Sequence, residues 1–282
     1  MSSDYAIYRD LVSQLQRGEE RLPSLPSLTF QIRSALQTPN ITLQQLERLI
    51  SRDPGLSALL VKHASSAFYR QARPAQSLRD VISVLGLRQV GNITMAHSVK
   101  SLFAACGPAY KQLFLDSWRR LLTKSSTAAV MARHLGGIAP DHALLASLLS
   151  EVGSLVLLSA FQGTEKPPSA DDYHRLCREY SRSLGVILLK RWAVDEEYIQ
   201  IIRQTGNWFA SDSPRLACID LVNLSLHHAI LERDPQASIP PLTELAAYRK
   251  LPPPFDELDL DGRLYLISHH QEEIRELVSS MM

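Results

Sequence analysis

The feature that most restricts this chain is the spacing of its leucines, isoleucines and valines. They recur mostly at intervals of three and four, as in "TLQQLERLI", where Leu43, Leu46, Leu49 and Ile50 mark one face. Alternating runs bounded by turn residues are nearly absent. A period near 3.6 puts such residues on one side of an α-helix, whereas a half-buried strand needs a period of two. The chain is therefore predicted to be all-α.

Local signals place the first helices. Thr42 and Gln45 have capping-box spacing. Asp53 followed by Pro54 marks a helix start, because the Asp side chain accepts from free amides and Pro needs no partner at the first helical position. That helix carries Leu56, Leu59, Leu60 and His63. In "SLRDVISVLGL", Ser77 is the cap, Leu78, Val81, Ile82 and Leu85 form the stripe, and Gly86 permits the left-handed turn that ends it.

Gly107 and Pro108 break the pattern mid-chain. Longer helices are predicted over roughly 114–135, 143–161, 172–192, 196–205 and 214–232, with "GTEKPPSADD" as a surface loop. From Asp234 onward prolines interrupt regular structure, and a last helix is expected over about 262–279. At 282 residues the chain exceeds one average domain. The expected division is an N-terminal helical subdomain (1–110), a second helical subdomain (111–233), and a Pro-rich connector with a C-terminal helix (234–282).

Hydrophobic residues make up 45% and charged residues 21%, the balance of a folded globular chain. The net charge of +1 provides no overall field toward nucleic acid or an anionic membrane. The N-terminus lacks a basic segment followed by an apolar run, and no eighteen uninterrupted apolar residues occur, so a cytoplasmic protein without membrane insertion is expected. Cys106, Cys177 and Cys218 show no metal-binding spacing and are read as buried thiols.

The most unusual local feature is Ser150–Glu151 within the apolar run "ALLASLLSEVGSLVLLSA". A carboxylate there is a metal ligand or a general base only if partners converge on it. The histidines form no HExxH or HxH pattern, and there is no GxSxG elbow and no Gly-rich phosphate loop. "WRRLLTKSS" gathers Trp118, Arg119, Arg120 and Lys124; it reads as a solvated helix face, with Arg119 and Lys124 on a basic surface, and nucleic-acid binding is not expected.

Three stretches, "LPSLPSLTFQIRSAL", "LISRDPGLSALLVKHASSAFY" and "SLRDVISVLGLRQVGNI", resemble the HDOD family of bacterial signalling domains, which is related in fold to the HD metal-dependent phosphohydrolases. The likeness rests on Pro23 and Pro26, the Asp53–Pro54 start, the Ser66–Ala67 step before an aromatic, and the Leu85–Gly86–Leu87 helix end, and covers roughly 20–232. It implies an HD-like helical bundle with an N-terminal helical subdomain.

In that comparison "LLASLLSEVGSLVLL" matches the helix that carries His-Asp or a relaxed version, then Ile-Gly; the pair falls here on Ser150 and Glu151, and Gly153 keeps the pattern. Arg120 stands near an expected histidine, "RQTGN" around Arg203 replaces a stretch that often holds a His pair, and no aspartate stands near Ser225 or Leu226. The resemblance thus implies a degenerate site with no catalytic residue, metal or cofactor, in which Glu151 is expected to pair with Arg120, since a buried carboxylate needs a partner.

The expected function is a non-catalytic signalling or scaffold protein that binds a sensor kinase, a response regulator or a cyclic-di-GMP enzyme. Motility, biofilm or second-messenger output is the expected process. Candidate ligand or partner contacts are Arg88, Gln89 and Asn92 beyond the Gly86 turn, and the Pro-rich segment. The alternative is a phosphohydrolase or nucleotide-binding protein built around Glu151, with Arg120 and Arg203 as phosphate partners.

Overall fold

The computed structural model describes residues 8–9, 12–13, 25–66, 75–104, 108–161, 168–210 and 213–282. Pro23, the Ala67 half of the Ser66–Ala67 step, and Cys106 with Gly107 lie outside them. Thirteen α-helices are assigned among the described residues, with two short 3₁₀ turns at Leu242–Glu244 and Tyr248–Lys250, and no strand. The fold is all-α as expected.

One compact unit comprises Leu25–Ser101 together with His270–Met282. It is built from α1 (Ser27–Gln37), α2 (Leu43–Ile50), α3 (Pro54–Ala64), α4 (Leu78–Leu85) and most of α5 (Leu87–Ala104), joined by the last helix of the chain. The predicted caps form as the sequence dictates. Thr42 and Gln45 satisfy each other's backbone in a capping box, the Asp53 carboxylate accepts from Leu56 N–H at 2.9 Å, and Gly86 takes a φ of 80°. The apolar stripes meet in a core of Ile32, Leu46, Ile50, Leu56, Leu60, Val81, Ile82 and Val90.

The second unit includes Leu102–His269. Here α6 (Pro108–Leu135) packs against α7 (Pro140–Leu149), α8 (Val152–Ala160) against α9 (Ala170–Arg191), and α10 (Glu196–Gln204) and α11 (Cys218–Arg233) close the bundle, followed by α12 (Tyr265–His269). This arrangement departs from the three-part division of the sequence. The residues from 234 to 269 belong with this unit, while α13 (Gln271–Met281) packs on α3 of the other. The cause is the apolar face of α13, where Ile274, Leu277 and Met281 are buried. The expected helix over 262–279 is accordingly two helices. The Pro-rich stretch turns back on itself, with Phe255 N–H donating to Pro252 O at 2.9 Å, and does not run out as an extended ligand.

The apolar run is also two helices. It breaks at Ser150–Glu151, where Glu151 leaves helical geometry (φ −120°, ψ 15°) and its carbonyl accepts from both the amide and the hydroxyl of Ser154. Pro140–Ser159 is long and apolar enough to cross a membrane by composition, but 89% of its most apolar window is buried inside the fold. It is the core of the bundle.

Candidate functional site

The helix break aims Ser150 and Glu151 into a cavity of about 320 Å³ lying wholly within the second unit. Its walls follow from helical spacing. Arg120 and Lys124 are one turn apart on α6 and so share a face. From α9 come His174, Cys177, Arg178, Ser181 and Arg182, again one stripe. Thr205, Gly206 and Trp208 follow α10, and Leu226, Ala229, Ile230 and Arg233 line the α11 side.

Gly153 fixes how deep the site lies. A Cβ at this position would stand 1.8 Å from the carbonyl oxygen of Ser181 and 2.7 Å from the amide nitrogen of Gly185, so only glycine lets α8 approach α9 so closely. The α9 stripe is thereby brought opposite the Ser150–Glu151 break.

At the bottom of the cavity Lys124, only 1% exposed, donates to Glu151 Oε1 at 2.6 Å and to Ser150 Oγ at 2.7 Å. Ser150 in turn donates to Ser147 O at 2.8 Å. The ion pair of Glu151 is therefore with Lys124 and not with Arg120, and Lys124 belongs to no basic surface. Arg120 donates instead to His174 Nδ1 at 3.3 Å. The reason is length and direction: Lys124, a turn further along α6, reaches the helix break directly.

The charges are unbalanced. Burial alone would raise the Glu151 carboxyl, but Lys124, with Arg120 and Arg233, outweighs it and holds the group below the usual carboxylate range. Burial pushes Lys124 down, and Glu151 opposes the shift. His174 falls to about 4 through burial and then the nearby Arg120, Arg233 and Arg178. It is neutral near pH 7, and the Arg120 contact on Nδ1 leaves its proton on Nε2. Burial also raises Cys177 to about 12, so its sulfur is a thiol and no nucleophile.

These residues do not fit a divalent cation of the HD type. Glu151 is the single carboxylate lining the cavity among the described residues, and an ammonium already occupies the position from which it would coordinate. A divalent ion there would meet Lys124 and four guanidinium groups with one shared carboxylate and one neutral imidazole as donors.

The other expected contacts lie elsewhere. Gln89 is 3% exposed and hydrogen-bonds His63 at 3.0 Å, and Asn92 is also buried, so both serve the interior of the first unit and not a surface. Arg88 is exposed. Arg203 faces Glu196 at 3.5 Å on the outside of α10 and does not line the cavity. The "RQTGN" stretch contributes Thr205 and Gly206 instead. Lys124, Arg178, Arg182 and Arg233 were missed as site residues. The helical stripe His174, Cys177, Arg178, Ser181, Arg182 was visible in the sequence, but nothing there says which stripe faces the Ser150–Glu151 break.

The chain matches the HDOD domain family over residues 22–207. It belongs to the HDOD family. A curated relative, an uncharacterized protein of Treponema pallidum (strain Nichols), is 25% identical over 199 residues, and the match takes in 64% of this chain and 37% of that longer protein. Among solved structures, a candidate metal-dependent phosphohydrolase from Shewanella amazonensis SB2B superposes with a TM-score of 0.78 at 21% identity, covering both chains fully. An HDOD domain protein of unknown function from Geobacter sulfurreducens gives 0.67 at 21% identity, covering 98% of this chain and 96% of the other. At such identities the likeness concerns the fold, which is the HD-like bundle common to HDOD domains.

Proposed function

We propose that this HDOD chain is a non-catalytic signalling module that acts by binding other proteins in bacterial signal transduction. The observation that carries this reading is the Lys124 clamp. A tethered ammonium bridges Ser150 and Glu151 at 2.7 and 2.6 Å, the two positions that match the His-Asp pair of a hydrolytic HD site. It supplies the positive charge internally, with no open coordination position to activate water. The partners that suit such a module are a sensor kinase, a response regulator or a cyclic-di-GMP enzyme in the cytoplasm, with motility or biofilm output.

Metal analysis of protein purified without chelator and then offered manganese or iron, combined with a phosphoesterase assay, tests this. The expected result is substoichiometric metal and no turnover above a Lys124→Met, Glu151→Gln double variant. One tightly held metal per chain with turnover lost in that variant is the outcome that overturns it. The cluster of guanidinium groups in the same cavity favours the binding of an anion.

A further inference from the structure

We propose that the cavity at the Ser150–Glu151 break is a metal-free binding site for a phosphorylated small molecule of mononucleotide size. The inference rests on the reading that Lys124 replaces a metal at this site.

Among the described residues five basic side chains line the cavity, Arg120, Lys124, Arg178, Arg182 and Arg233, against the one carboxylate of Glu151. Lys124 is consumed by that carboxylate. The four arginines form no ion pair with any described carboxylate; the one hydrogen bond among them is from Arg120 to the neutral His174. Arg178 and Arg182 lie at i and i+4 on α9, a repulsive pairing on any helix. Four guanidinium groups around one concavity, Arg120 half-buried and Arg178, Arg182 and Arg233 exposed to solvent, concentrate positive potential there and favour an anion. Planar forks of this kind match phosphate oxygens two at a time.

Gly206 forms the turn against which one of these arginines lies. Its φ of +78° favours glycine, and Arg182 Nη2 lies 3.2 Å from where a Cβ would stand, so the guanidinium rests against this turn at the rim. The turn is held by Gly206 N–H donating to Asn223 Oδ1 at 2.9 Å.

The rest of the wall sets the size and the second half of the ligand. Trp208, Leu226 and Ile230 add apolar surface suited to a ring, the latter two on the same α11 stripe as Arg233, and His174 adds a neutral imidazole to the lining. A volume of about 320 Å³ lies at the small end of ligand cavities, enough for one nucleotide but not for two linked ones.

Calorimetric titration of the full chain in EDTA with 5′-GMP, guanosine and inorganic phosphate tests the proposal. The expected result is one 5′-GMP per chain, no binding of guanosine, and phosphate weaker than 5′-GMP. Arg120→Gln and the rim variant Arg182→Gln, each confirmed folded by circular dichroism, are expected to weaken 5′-GMP by about tenfold or more. Arg203→Gln, outside the cavity, is expected to bind as the parent does.

Binding that appears only with added manganese overturns the metal-free reading given above and this proposal with it. No binding in either buffer overturns the ligand assignment alone and leaves that reading standing. Phosphate as tight as 5′-GMP overturns the mononucleotide size, and an equal loss in Arg203→Gln overturns the site.

Discussion

At the residue scale the Lys124–Glu151 pair is asymmetric, and its two halves should respond differently to removal. Lys124 is 1% exposed and Glu151 21%, so the ammonium has far less access to water. Glu151→Ala strands a buried cation among arginines and is expected to cost about 3 kcal/mol of stability. Lys124→Met leaves a carboxylate that still has Arg120 and Arg233 near it, and should cost closer to 1 kcal/mol. The double variant Lys124→Met, Glu151→Ala should cost less than the two single losses together, giving a coupling of about 2 kcal/mol in urea denaturation. Equal, additive losses would show that the pair is not what holds the helix break.

The element scale is where sequence reading succeeds and where it stops. Thr42, Asp53, Ser77 and Gly86 were legible because each works on backbone groups within four residues of itself. The break at Ser150–Glu151 was not legible, since its apolar flanks read as one helix and the cause is tertiary: Lys124, 26 residues away, holds the Ser150 hydroxyl. The arginine cradle escaped for the same reason. Arg178 and Arg182 sit on an ordinary amphipathic helix, and only the approach of α8 makes their face the inner wall. Gly153 enforces that approach, so Gly153→Ala must push α8 off the Ser181 and Gly185 backbone. The expected loss is about 2 kcal/mol or more, with a lower thermal midpoint and weakened 5′-GMP binding. A fully stable Gly153→Ala with parental binding would show that helix spacing does not shape the cavity.

For the whole molecule, composition near neutrality conceals the segregation of cations into one cavity, which is why net charge gave no hint of a ligand. The C-terminal helix is tied to α3 by an equally non-local device. His63 of α3 hydrogen-bonds Ser280 of α13, 217 residues away, at 2.9 Å, and Gln89 of α5 at 3.0 Å. It is fully buried, and burial lowers its pKa to about 4. The unfolded chain, with an ordinary histidine near 6.5, therefore binds more protons than the folded one between pH 6.5 and 4, and stability must fall as pH drops through that window. From pH 7 to 5 the loss from His63 alone is about 2 kcal/mol. Hydrogen exchange of the α3 and α13 amides at the two pH values should register it as faster opening of this unit, after correction for intrinsic rates. His63→Gln, which cannot titrate, should flatten that difference by the same amount while lowering stability at pH 7. If parent and variant lose protection equally, His63 is not the group that couples the C-terminal helix to pH.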